Sequence, residues 1–191
     1  KNIMTKDIQK KLEIGIVKRL DILENQANKV YLGLGSNLGD RIKNLELAKS
    51  LIYKSNIKIL KISKFYKTDS WPNSKFPFFI NFIMLIETNL NIKELYRTIK
   101  IIETKIGRTK TPKNHPRVCD IDIIDFNGTI TFTKFDNDQI IVPHKRMHER
   151  NFVLIPLYEI NKNWIHPKFK KNIVNLLFKL SKIDLRSIKL I

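Results

Sequence analysis

Two aspartates separated by one residue, Asp120 and Asp122, stand inside a run at 119–126 that is otherwise apolar but for Asp125. The run reads as a β-strand. A strand alternates its side chains between two faces, so both carboxylates point the same way, about 7 Å apart along the chain. Like charges so placed are costly unless a cation or an arginine sits between them, and paired carboxylate oxygens suit the hard ion Mg2+. Arg117 lies just upstream, at the end of a basic, apolar-poor loop over 108–117 that contains Pro112 and Pro116. Acid pair plus arginines is what a polyphosphate needs, the metal neutralising the phosphates and the guanidiniums clamping them. Alone, Asp-x-Asp also reads as a solvated strand face with paired charges.

The surrounding chain alternates between helical and strand periodicity. Ile8, Leu12, Ile16, Leu20 and Leu23 recur at steps of three and four, predicting a helix over 5–26, weakened at Gly15. A polar joint at 25–29 leads to a first strand at 30–34 and a turn-rich 35–39. Asp40 is placed to cap a helix to about Tyr53, with Ile42, Leu45, Ala48 and Ile52 on one stripe. A strand is expected over 57–66, a loop with Pro72 and Pro77 over 68–77, and a strong strand over 78–87. Asn91 and Glu94 have capping-box spacing before a helix carrying Ile92, Leu95, Ile99, Ile102 and Ile106, which Gly107 is placed to end. Asn127-Gly128 signals a hairpin into 129–134, a short strand follows at 139–142, 152–160 is apolar, and 172–180 reads as a last helix. Strands and helices interleave but hairpins dominate. The fold class is therefore α+β, a ferredoxin-like, mostly antiparallel sheet with helices packed on it.

Composition narrows the classes further. The 191 residues fit one domain with a real core, and no apolar run is long enough to span a bilayer. No signal-peptide pattern opens the chain, and the single Cys119 excludes an internal disulfide framework and suits a reducing, cytoplasmic setting. The formal charge of +18 attracts polyanions, but the lysines are spread along the whole length. That spread favours compositional bias plus a phosphate site over a dedicated nucleic-acid surface.

Other candidates are weaker singly. Gly33-x-Gly35 with Gly39 fails the dinucleotide fingerprint on spacing and reads as a tight strand-to-helix turn. Phe79 and Asn81 share one strand face, where a ring could stack and an amide could read a heterocycle's edge; a core phenylalanine beside a bonded asparagine is the plainer reading. Glu103 stands at the edge of its helix's apolar stripe, where a glutamate is usually solvated. His144 and His148, four apart, lack a clear third zinc ligand, and His115 and His166 read as loop residues.

Together and in order, these signals resemble the 6-hydroxymethyl-7,8-dihydropterin pyrophosphokinase family. The match opens with Val30-Tyr31-Leu32-Gly33-Leu34-Gly35-Ser36-Asn37-Leu38-Gly39 and continues through Phe65-Tyr66-Lys67-Thr68, Asn81, Glu87-Thr88, Ile102-Glu103 and Gly107-Arg108. Its most specific part is Pro116-Arg117-Val118-Cys119-Asp120-Ile121-Asp122-Ile123-Ile124. It closes with Val142-Pro143-His144, Met147, Arg150 and Phe152-Val153-Leu154-x-Pro156-Leu157.

The resemblance implies transfer of pyrophosphate from ATP to a hydroxymethyl-dihydropterin in folate synthesis. Asp120 and Asp122 would hold two Mg2+ ions, and with Arg108 and Arg117 they make the catalytic set. Glu103, Arg108, Lys110, Arg117, Ile123, His144 and Arg150 would serve ATP. Ser36, Asn37, Thr68, Trp71, Phe79, Asn81 and Phe152 would form the pterin site. Departures include Lys110 for a frequent arginine, Asn114-His115 where a tryptophan is common, and Lys145 for a frequent aromatic. The implied division is an extension or linker at 1–28, the enzyme domain at 29–170, and a helix and linker at 171–191. Lys1 in place of methionine and the fused relatives point to dihydroneopterin aldolase upstream or dihydropteroate synthase downstream. The rival from another class is a ferredoxin-like nucleic-acid-binding module, against which the absence of that class's aromatic motif speaks.

Overall fold

The computed structural model describes residues 27–70, 73–109, 111–112, 115–136 and 138–191. The helix expected over 5–26, Trp71 and Lys110 lie outside them. Strand β1 (Asn28–Ser36) runs up the middle of the sheet. It pairs antiparallel with β4 (Phe79–Thr88) on one side and β5 (Asp120–Phe126) on the other. The far edge of β4 carries β2 (Lys58–Ile62) and β3 (Tyr66–Thr68), and a last short strand, β8 (Lys189–Leu190), adds to β3. Helix α1 (Arg41–Lys54) joins β1 to β2, and α2 (Ile92–Ile106) joins β4 to β5. This is the β-α-β-β-α-β arrangement of ferredoxin-like folds, as the pattern of elements predicted.

Strand alternation sorts β1 into two faces. Val30, Leu32 and Leu34 point into one core with Leu45, Ala48 and Ile52 of α1 and Leu95, Ile99 and Ile102 of α2. Tyr31 points into a second core on the other face, with Ile83, Ile124, Trp164 and the apolar side of α3 (Asn151–Ile160) and α4 (Ile173–Leu177). The apolar 152–160 is thus a helix covering the sheet's second face. Ile42, expected on the buried stripe of α1, is 46% exposed.

Helix α2 begins and ends as its sequence predicts. Asn91 accepts from the Lys93 and Glu94 amides, the Glu94 carboxylate accepts from the Asn91 amide, and Gly107 ends the helix at φ 104°.

Three expectations are corrected. The strand over 57–66 is two strands, because Ser63 interrupts it: its hydroxyl accepts from the Ile83 amide and the Lys64 amide turns to Glu159. Asn127 and Gly128 adopt the left-handed conformations of a tight turn, but β6 (Thr131–Phe135) then leaves β5 and pairs with β7 (Asp138–Val142) in a separate two-stranded sheet. Ile140 and Val142 of that hairpin bury in the α1–α2 core, which is what draws it away. The last helix is shorter than 172–180, and beyond it α5 (Lys182–Ser187) and β8 fold back onto the sheet. Among the described residues no helix is long and apolar enough to cross a membrane.

Candidate active site

The register of the central strands lays out the site. Gly35 of β1 stands opposite both Asn81 of β4 and Asp120 of β5, and Gly33 stands opposite both Ile83 and Asp122. On the second face, then, acid and amide are separated only by glycines, and a trough runs between them. A Cβ on Gly35 would lie 2.7 Å from Asn81 Oδ1, and one on Gly33 would lie 3.1 Å from Ile124 Cδ1. Both glycines sit within β1 rather than in the turn that follows, contrary to the expected tight turn. Their function is to leave room. The trough opens into a cavity of about 710 Å³ that holds Asp120, Asp122, Arg108, Arg117, His144 and Arg150 at one end and Thr68, Phe79, Asn81 and Phe152 at the other.

At the acidic end the two aspartates have opposite surroundings. Asp120 accepts from Arg108 Nη1 at 2.6 Å and from Arg117 Nη1 at 3.1 Å. Burial pushes its carboxyl up, but Arg108 and Arg117 outweigh that and hold it below the ordinary aspartate value. For Asp122 burial dominates, the neighbouring Asp120 charge adds to it, and the pKa is raised. Among the described residues, the His144 Nε2 atom and the Arg150 Nη1 cation each stand 3.9 Å from its Oδ2. Burial, more than Asp122 can offset, lowers the pKa of His144 and keeps the imidazole neutral near pH 7.

Glu103 is buried, not solvated. Its Oε1 accepts from the Ile121 amide at 2.8 Å and pairs with Arg108, while Lys100 Nζ lies 2.9 Å from Oε2. Gly107 ends α2 so that Arg108 turns back over this carboxylate, and the Arg108 guanidinium bridges Glu103 and Asp120. Glu103 therefore positions Arg108 from behind the cavity wall. Ile123 packs in the α1–α2 core on the opposite face, so its side chain is not in the cavity.

At the other end Asn81 donates to Thr68 Oγ1 at 2.9 Å, and Phe79 and Phe152 are half-buried. The Arg150 guanidinium stands 5.4 Å from the Phe152 ring centroid. Ser36 and Asn37 are buried beside the trough and do not line it. Asn37 instead ties the loops together, donating to Ser70 Oγ and the Pro77 carbonyl and accepting from the Arg117 amide at 2.8 Å. His144 and His148 are not brought together as a chelate: His148 packs against His166 and Phe169 behind the cavity.

Sequence reasoning missed Lys100, Arg146, Glu149, Asp184 and Ser187, all of which line the cavity. Lys100 was detectable, since it precedes Glu103 by three residues on one helix, the spacing of an ion pair. Nothing local marks Asp184 or Ser187, because a fold-back from the C-terminal segment puts them there.

Among the described residues no three His, Cys, Asp or Glu side chains are grouped to hold a metal unaided. The donor set nevertheless fits a hard cation completed by phosphate oxygens. Asp122 lines the cavity with, among the described residues, no basic nitrogen closer than 3.9 Å, beside a second carboxylate that raises its pKa.

The chain matches the family model described as 7,8-dihydro-6-hydroxymethylpterin-pyrophosphokinase (HPPK) over residues 31–162. It is 40% identical over 134 residues to the 2-amino-4-hydroxy-6-hydroxymethyldihydropteridine pyrophosphokinase of Bacillus subtilis, covering 70% of this chain and 78% of that one. It is 32% identical over 172 residues to the folic acid synthesis protein fol1 of Pneumocystis carinii, covering 90% of this chain and 22% of that protein. The chain thus spans 22% of that curated relative's length. The crystal structure of wild-type Plasmodium falciparum HPPK-DHPS superposes with a TM-score of 0.66 at 18% identity, over 82% of this chain and 41% of the other, and shows the same fold.

Proposed function

The chain belongs to the 7,8-dihydro-6-hydroxymethylpterin-pyrophosphokinase family, and from that premise and the geometry of the cavity we propose that it transfers pyrophosphate from ATP to 6-hydroxymethyl-7,8-dihydropterin. The observation that carries this reading is the juxtaposition across Gly33 and Gly35: a carboxylate and guanidinium cluster shares one cavity with an amide and two aromatic rings. Phe79 and Phe152 hold the flat ring, and Asn81, fixed by Thr68, reads its polar edge. Arg108, Arg117 and Arg150 receive the phosphates, with Lys100 and Arg146 adding positive charge to the same wall.

Asp120 and Asp122 are the residues that would hold Mg2+, two ions by the family resemblance. Bound there, the metal supplies charge neutralisation on the phosphate oxygens. In the transfer, the pterin hydroxyl oxygen bonds to the β-phosphorus, the bond from the β-phosphorus to the α-bridging oxygen breaks, and AMP leaves. The hydroxyl proton passes to solvent; no general base is assigned among the described residues. The protein contributes alignment of the hydroxyl with that bond and preorganised positive charge where negative charge builds up. Lys110 and Trp71 belong to this proposal as loop contacts, and Ile123 as a backbone one.

The single cysteine, Cys119, is buried, and burial pushes its thiol up to about 12, so it stays protonated. A single cysteine, which can form no internal disulfide, fits a cytosolic setting. A dihydropteroate synthase or dihydroneopterin aldolase module in the same gene is proposed on the pattern of the longer relatives, and the gene sequence tests it.

The test of function mixes the protein with ATP, Mg2+ and the dihydropterin. AMP is expected and ADP is not. Asp122→Ala is expected to lose turnover with its circular dichroism unchanged; wild-type turnover in that variant would overturn the assignment.

A further inference from the structure

Residues 181–191 lie beyond the stretch that matches the family model, 31–162, yet Asp184 and Ser187 line the cavity. We propose that this C-terminal segment is a strap that positions the ring-binding side chains, with Asn151 as its anchor. The inference deepens the proposed function and rests on it.

Two attachments lead from the strap to the aromatic end of the site. The first runs through Asn151, whose side chain is buried beside Phe152. Its Nδ2 donates to the Asp184 carbonyl at 2.5 Å and to Ser187 Oγ at 3.0 Å, while its Oδ1 accepts from the Phe152 amide at 2.7 Å. One amide therefore couples the strap to the backbone that aims the Phe152 ring. The second runs through β8. Leu190 and Lys189 pair with Tyr66 and Lys67 of β3, and the Ile191 amide donates to the Phe65 carbonyl at 3.1 Å. The next residue of β3 is Thr68, which stands opposite Phe79 and holds the Asn81 amide. Both sides of the ring slot are thus braced by one segment.

The strap has little else to hold it. Ile183 is 80% exposed, and Leu185, Leu190 and Ile191 are only about half covered, so no apolar side chain of the strap is fully buried and the polar anchors carry much of its docking. Within it, Ser181 caps α5 by accepting from the Asp184 amide at 3.0 Å, which presents the Asp184 carbonyl and Ser187 hydroxyl as a pair to Asn151. A stacked ring needs its two aromatic planes fixed to within a fraction of an ångström, and loosening the supporting contacts costs binding without removing a contact residue.

The variant Asn151→Asp in the full chain separates anchor from packing. It is isosteric and keeps an acceptor for the Phe152 amide, but it places an oxygen against the Asp184 carbonyl. In the presence of Mg2+ and α,β-methylene ATP, dihydropterin affinity measured by calorimetry is expected to fall about five- to tenfold. Affinity for the nucleotide analogue should stay unchanged, and amide hydrogen exchange across 182–190 should accelerate. Faster exchange with dihydropterin affinity within twofold of wild type would overturn the strap, as would exchange that does not change. A wild-type chain that binds no dihydropterin would instead overturn the function on which the strap depends.

Discussion

Asp120 and Asp122 are the same amino acid two residues apart, and the fold gives them opposite energetics. The Asp120 pKa is depressed, so its ionised form stabilises the fold above the ordinary aspartate value and that contribution is lost as pH falls through the folded value. The Asp122 pKa is raised, so its ionised form is a penalty at neutral pH, relieved as pH falls or when a cation binds. At pH 7 Asp120→Asn is expected to destabilise the free protein by about 1–3 kcal/mol, through the loss of charged hydrogen bonds to Arg108 and Arg117. Asp122→Asn should leave the melting temperature unchanged or raise it while abolishing turnover. Equal destabilisation by both in thermal melts would contradict this account. The glycines divide in the same way. An alanine at Gly35 must push Asn81 off its bond to Thr68, whereas one at Gly33 meets only the flexible tips of Ile124 and Ile83. Gly35→Ala is therefore expected to raise the dihydropterin KM about tenfold or more and Gly33→Ala far less, with the ATP KM as the control. The Asp-x-Asp face was legible because period two is a property of any strand. The role of the glycines was not, since it depends on what stands on the two neighbouring strands.

Elements were legible where local chemistry decides them. Helix α2 carries its own start and stop signals in Asn91, Glu94 and Gly107, and the structure uses all three. Elements that answer to distant partners were not. Strict alternation would put Asp125 on the same face as Ile121 and Ile123, but the register slips between Tyr31 and Leu32 and leaves Ile124 unpaired. Asp125 thereby reaches the other face and accepts from Trp164 Nε1 at 2.7 Å. The segment after α3 holds a second long-range device, His166, which is buried against His148, Trp164 and Phe169 and accepts from the Lys168 and Phe169 amides through Nδ1. Burial, with repulsion from His148 and Lys168, lowers its pKa from 6.5 to about 4. Between those values the unfolded chain binds a proton that the folded chain does not. Stability is complete above pH 6.5 and declines as pH falls towards about 4. Replacing His166→Asn keeps an acceptor for the two amides without the titration. Denaturant melts across that range should show a shallower acid loss in the variant, and parallel curves would rule this residue out as the cause.

At the scale of the molecule, one sheet separates stability from chemistry. The face covered by α1 and α2 is an apolar core with Glu103 buried at its edge, while the other face divides into a core under α3 and α4 and an open trough at the end where β1 carries glycine. That division explains how a chain of formal charge +18 concentrates useful charge without a dedicated basic face. Lysines spread everywhere, while Arg108, Arg117, Arg146 and Arg150 converge because a helix end, a loop and a short turn all stop at one rim. The order of motifs along the chain was enough to suggest both halves of the site. The joining of those halves across two glycines could be seen only in three dimensions. The central claim is that this joined cavity passes two phosphorus atoms together to a hydroxymethyl group, and phosphorus-31 NMR of a single reaction mixture tests it directly. With ATP, Mg2+ and 6-hydroxymethyl-7,8-dihydropterin, the ATP resonances should give way to AMP and a two-phosphorus diphosphate ester, in equal amounts. Formation of ADP with a single-phosphorus ester or inorganic phosphate would contradict the account.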